Sequence, residues 1–123
     1  MQRDELLATY LEMRKVHGEL AKLRLAHFAT YIDEETETKW FHKLVYDYLD
    51  KWIAKDIKKL AIFIPPQHGK SRMSSVVTPA KILGQNPKAK IVVASYSDQN
   101  ASKFNRSCQD IIDSKSFKDL YPN

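Results

Sequence analysis

One cysteine, Cys108, and only three glycines and five prolines occur in 123 residues. A lone cysteine excludes an internal disulfide and suits a reducing compartment. So little glycine and proline excludes a fibrous or low-complexity chain, and no internal repeat is visible. No apolar run approaches the roughly 18 residues that a membrane span needs. The opening "MQRDELLATY" is charged and lacks the apolar centre of a signal peptide. The expectation is one small cytoplasmic domain with no membrane partner.

What is present is charge, unevenly placed. Residues 1–60 hold 11 Lys+Arg and 11 Asp+Glu, while residues 61–123 hold 9 and 4, which supplies the whole net charge of +5. Anions are therefore plausible partners of the second half. The plainer reading is a solvated basic face that aids solubility.

Apolar spacing predicts helices over residues 3–29 and 39–56, the second capped by Thr38 after the acidic "DEETET". "LAIFI", 60–64, is short, β-branched in part and stopped by Pro65-Pro66, so it reads as a buried strand. The chain turns helical from Lys70, with a kink or restart at Pro79 and Thr78 as cap, and stops at Gly84 and Pro87. "IVVASY", 91–96, reads as a second strand, and Ser97 caps a helix over 98–113. The order strand–loop–helix–strand–helix implies an α/β fold with a parallel sheet, preceded by two N-terminal helices. Two regions follow: a helical segment, 1–59, and an incomplete phosphate-loop core, 60–123.

The chemistry concentrates in Gly69-Lys70-Ser71. A strand feeding a tight loop that opens a helix offers phosphate outward-pointing, unpaired backbone N–H groups and a favourable helix dipole. Gly69 lets the main chain come close, Lys70 reaches the β/γ phosphates, and the Ser71 hydroxyl holds Mg²⁺. The eight positions of the loop pattern are 64–71, and its opening glycine is replaced by Ile64. A bare GK[ST] arises by chance in roughly one such chain in twenty, so its position between strand and helix is what carries the reading. The alternative is a capped turn with a solvated lysine. His17, His27, His42 and His68 lack metal-site spacing. Cys108 falls on an apolar helix face and reads as packing, and the aromatics of 40–52 read mostly as core.

In chain order, "FHKLVYDYL", "LAIFIPPQHGKS", "TPAKILGQNP", "IVVASYSDQNASKF" and the final "LYP" resemble the N-terminal ATPase domain of phage large terminase subunits, the DNA-packaging motors. The resemblance spans residues 40–121, about two-thirds of the chain, and that family commonly has Pro-Pro before its loop and no opening glycine. It implies a partial RecA-like sheet and an ATP·Mg²⁺ site built from Pro66, Gln67, His68, Gly69, Lys70 and Ser71. Lys70 would be the catalytic lysine and Ser71 the metal ligand. Phe41 and His42 would match the upstream segment that contacts adenine. In a parent motor the partners would be portal protein, small terminase subunit and double-stranded DNA, in the host cytoplasm for a phage or prophage product.

Gln67 stands where many relatives have arginine, and no acidic pair follows a later strand. The resemblance therefore implies an N-terminal piece of such an ATPase, with hydrolysis by this piece left open. A non-hydrolysing module that docks a partner through residues 1–60, and another phosphate-loop enzyme such as a helicase or small-molecule kinase, are the alternatives.

Overall fold

The computed structural model describes residues 2–122. Its elements are helices α1 (Arg3–Leu23), α2 (Leu25–Ile32), α3 (Trp40–Ile53) and α4 (Lys70–Arg72), a π-helical turn (Met73–Val77), then α5 (Thr78–Gln85), α6 (Asp98–Asp113) and α7 (Lys115–Leu120). No strand forms among the described residues.

The expected α/β parallel sheet is thus absent. Residues 60–64 and 91–96 are neither helical nor paired, and no hydrogen bond joins them to each other. A strand exists only through its ladder, and a run of β-branched residues specifies local extension without naming a partner. Burial still alternates along the first run. Leu60, Ile62 and Ile64 pack against the helical core, whereas Phe63 is exposed, as are Val92 and Tyr96 in the second run.

The anticipated single helix over 3–29 is two helices, broken at Arg24 with φ −134° and ψ 135°. Remote groups satisfy both broken ends. The Leu25 amide donates to both Asp50 carboxylate oxygens at 3.1 and 3.3 Å, and Gln85 Nε2 donates to the Lys22 carbonyl at 2.9 Å. The break turns Leu25 and Phe28 fully inward, and burying each contributes about 1.5–3 kcal/mol. They join Met73, Val76, Val77 and Ala80, with Ile111, Phe117 and Leu120, in one core that draws on both halves of the chain.

Asp50 also faces Lys81, Oδ1 to Nζ 3.7 Å, with side chains 11% and 3% exposed. Burial pushes the Asp50 carboxyl up against the pull of Lys81, and burial pushes the Lys81 ammonium down against the pull of Asp50. The pair ties α2, α3 and α5 together at an electrostatic cost.

At Pro79 the helix widens instead of kinking. A proline there lacks its N–H, and in regular α geometry its ring meets the carbonyl four residues back. The π turn relieves this, with the Thr78 N–H and hydroxyl both donating to the Met73 carbonyl, the hydroxyl at 2.7 Å. The expected stop at Gly84 falls one residue later, at Gln85, because Gly84 packs inside the helix beneath the Tyr121 ring. Ser97 caps α6 as anticipated, its Oγ accepting from Asn100 N at 3.2 Å. Cys108 is buried on the apolar face of that helix.

Candidate functional site

The chain from Pro65 to Gly69 forms a stapled loop. Two of its residues take positive φ, Gln67 at 64° and Gly69 at 82°, and only glycine adopts that region without a steric penalty. His68 closes the loop on itself. Its Nδ1 lies 3.1 and 2.8 Å from the carbonyls of Pro65 and Pro66, and two acceptor partners require that this nitrogen carry the proton and donate.

Helix α4 then starts at Lys70, the position anticipated from the sequence, and its first backbone bond runs from Met73 N to the Gly69 carbonyl. Among the described residues no internal acceptor takes the amides of Gly69 to Arg72, while Pro66 and Gln67 form a turn that brings the His68 amide toward the Pro65 carbonyl. Lys70 is exposed and enters no ion pair, and Ser71 is exposed beside it. These are free donors and a free cation at the start of a helix that continues through the π turn to Gln85.

The upstream segment comes to this loop through His42. The Lys39 amide donates to His42 Nδ1 at 3.0 Å, capping α3 from its third residue. The anticipated cap, Thr38, makes no such bond, and its hydroxyl is buried without a partner. With Nδ1 accepting, His42 Nε2 must carry the proton, and it donates to the His68 carbonyl at 2.9 Å. A Cβ added at Gly69 would stand 3.4 Å from that same Nε2. Phe41 stacks obliquely on both histidines, with ring centroids 4.3 Å from His42 and 5.6 Å from His68.

These rings open onto a cavity of about 350 Å³ between α3 and the loop, lined also by Tyr46, Gln67, Gly69 and Arg72. Pro66, Lys70 and Ser71 stay outside it, at its rim in sequence and open to solvent.

No family model, no curated protein and no solved structure matches the chain. The site therefore has to be read from its own geometry.

Of the residues singled out in the sequence, the fold brings Phe41, His42, Gln67, His68 and Gly69 into one wall, with Lys70 and Ser71 following directly. Sequence reasoning passed over Arg72, and it read Tyr46 as core, which its burial bears out. Arg72 lines the cavity and pairs loosely with Asp33 at 3.9 Å, both side chains being nearly half exposed. It supplies a cationic side chain to the cavity that Gln67 also lines. Tyr46 is buried, and desolvation pushes its hydroxyl up to about 12 against the opposing pull of Arg72. The signal for Arg72 was its place two residues after Lys70, on the same helical start.

A nucleotide fits this arrangement in part. The free amides and Lys70 suit phosphate oxygens, and the aromatic-lined cavity has room for a planar base. For magnesium the loop offers the Ser71 hydroxyl. No cluster of three His, Cys, Asp or Glu side chains that could hold a metal occurs among the described residues, so the ion would come with the phosphates. No helix among the described residues is long and apolar enough to cross a membrane.

Proposed function

We propose that this chain binds a nucleoside triphosphate as its Mg²⁺ complex, with the phosphates on the amides of Gly69 to Ser71 and on Lys70, and the base in the cavity beside Phe41 and His42. The observation that carries the reading is the stapled loop. His68 holds the proline carbonyls, Gly69 sits at positive φ, and the next helix opens with unpaired amides and an unpaired lysine. A plain turn with a solvated lysine would need neither the staple nor the strut from His42.

The wider reading, an N-terminal piece of a terminase-like packaging ATPase, rests on the ordered sequence pieces of residues 40–121. It is supported by His42 and Phe41 lying against the loop as that resemblance requires. Portal protein, small terminase subunit and duplex DNA are the partners of that proposal.

The roles divide by residue. Lys70 neutralises the β/γ phosphates and Ser71 offers its oxygen to the ion. Gly69 admits the main chain, Pro66 and His68 hold the loop's shape, and His42 orients its outer wall. Bound magnesium would polarise the terminal phosphate. Gln67 lacks the positive charge that the resemblance puts at its position, and the acids of α6 lie on a helix and not after a strand, where the resemblance would place the pair that activates water. The proposal is therefore binding without useful turnover by this chain alone.

The test is calorimetric titration of the chain and of Lys70→Ala with ATP·Mg²⁺. Measurable affinity that falls at least about tenfold in the variant, with helical circular dichroism unchanged, supports the reading. Equal affinity in both proteins sinks it. Helicase- or kinase-like use of the same loop would share this result, and duplex DNA or a small phosphoryl acceptor raising turnover would then favour one of those.

A further inference from the structure

Both helices that meet at the loop run away from it in the same direction. The first turn of α3 touches the loop through His42, and the helix opening at Lys70 leaves from Gly69. Farther along, Asp50 of α3 faces Lys81 of α5 at 3.7 Å, and Gln85, ending α5, donates to the Lys22 carbonyl near the end of α1. The C-terminal ends of α1, α3 and α5 therefore gather at the pole opposite the loop. Residues 54–59 and 86–90, which follow α3 and α5, emerge there.

That pole is cationic. Residues 51–60 and 86–91 hold Lys51, Lys55, Lys58, Lys59, Lys88 and Lys90 against a single acid, Asp56. All six lysines are exposed and none enters an ion pair. A cation in the last turn offsets a helix dipole, which accounts for Lys51 in α3 and not for the five lysines outside the helices. Lys55 ends α3 at φ 66°, its amide on the Trp52 carbonyl at 3.1 Å and the Asp56 amide on the Lys51 carbonyl at 2.9 Å. Glycine is the unstrained residue in such a turn, so a lysine is held there at a conformational cost.

Aromatic rings stand beside these charges. Tyr48 is 46% exposed and Trp52 39%, one turn apart on α3, and the Lys51 ammonium lies 5.1 Å from the Tyr48 ring centroid. Ammonium groups beside open aromatic faces suit a chain of phosphates whose bases are free to stack. A duplex keeps its bases stacked inside and gives these rings no face. An anionic membrane fits less well, because no large apolar side chain is exposed within 54–59 or 86–90 to enter lipid.

We propose that this pole binds single-stranded nucleic acid, phosphates on the lysines and bases on Tyr48 and Trp52. It lies about 20 Å from the loop, the length of the 14-residue α3, so the inference does not rest on what the loop binds.

Fluorescence anisotropy of the whole chain with labelled oligouridylate and oligothymidylate, each about 20 nucleotides long, tests this. A duplex of the same length and vesicles containing anionic lipid serve as competitors. With about five phosphates engaged, single-strand affinity should fall about 100-fold between roughly 50 and 200 mM salt. Lys58→Gln combined with Lys59→Gln, both in an exposed segment, should weaken binding at least about tenfold and flatten the salt slope by about 1.4. Tyr48→Ala should weaken single-strand binding about fivefold or more and leave duplex binding as it was. Helical circular dichroism should be unchanged in both variants. Whichever oligonucleotide binds more tightly identifies RNA or DNA as the source, and either supports the inference. Failure of both single strands to bind at low salt overturns it, as does full affinity in the lysine variant or in Tyr48→Ala. A duplex bound as tightly as the single strands overturns it too, and so do vesicles that bind where the oligonucleotides do not.

Discussion

Replacing Lys81 with methionine isolates the cost of one buried charge. Methionine keeps most of the lysine stem's volume and apolar contact, so the change removes little except the ammonium. Left behind is Asp50, 11% exposed, with its two oxygens on the Leu25 amide at 3.1 and 3.3 Å and no counter-ion at 3.7 Å. Breaking a buried pair from one side costs about 3–5 kcal/mol. The retained amide bond and the option of taking up a proton place this case near the lower end, about 3 kcal/mol. That is a large share of the roughly 6–18 kcal/mol a chain of this length has in total.

Asp50→Asn in the same protein should restore most of the loss. An amide oxygen still accepts from Leu25, and no charge remains in the core. The double variant should lie within about 1 kcal/mol of the parent.

The pH dependence has a definite sign. Burial already raises the Asp50 carboxyl above its ordinary 3.8, and losing Lys81 raises it further. The folded state then binds a proton more tightly than the unfolded one. The penalty in Lys81→Met is therefore full at neutral pH, shrinks as pH falls through the folded value, and is gone below 3.8. Urea unfolding followed by helical circular dichroism measures all three proteins. A single variant as stable as the parent, or a double variant less stable than the single, refutes the account of this pair.

Other expectations concern the loop and its surroundings. Gly69→Ala forces a side chain into φ +82° and against His42 Nε2, so it should lose about 1–2 kcal/mol and weaken nucleotide binding; unchanged melting and affinity would contradict the loop geometry. His42→Ala removes the cap of α3 and the strut to His68 together, which should lower stability by about 1–2 kcal/mol in urea titration, and no loss would show both bonds to be idle. Tyr46 and Tyr121 are both pushed up to about 12 by burial, so stability is intact below pH 10 and declines as pH rises toward 12. Tyr46→Phe should make that decline shallower, and parallel declines would count against a buried Tyr46 hydroxyl. Phosphate release from ATP should stay below about 1 s⁻¹; faster turnover that vanishes in Lys70→Ala would show a complete catalytic site.

Local signals in the sequence told the truth about local structure. Ser97 caps α6 from its own side chain, and Gly69 sits where a positive φ was needed to open a helix at Lys70. Ser114 caps α7 in the same way, accepting from Phe117 N at 3.2 Å, and "DSKSF" held that cap although the sequence reading took no helix there. Thr38 and Thr78 do not cap as their local sequence suggests, and the larger failures are non-local. The break at Arg24 is satisfied by Asp50 and Gln85, which are distant in sequence. "LAIFI" and "IVVASY" are short apolar runs rich in β-branched residues, but pairing depends on a neighbour that no local pattern names, and the sheet read from them does not form. The wall formed by Phe41, His42 and His68 was not legible, since nothing in spacing joins residues 26 apart.

The central claim is that the amides opening the helix at Lys70 hold nucleotide phosphate. Backbone amide NMR of the labelled chain during titration with ATP·Mg²⁺ tests it residue by residue. The account predicts that the largest saturable shifts fall on Gly69, Lys70 and Ser71, with smaller ones on Phe41 and His42. Saturable shifts confined to other parts of the chain, with those three amides unmoved, would contradict it.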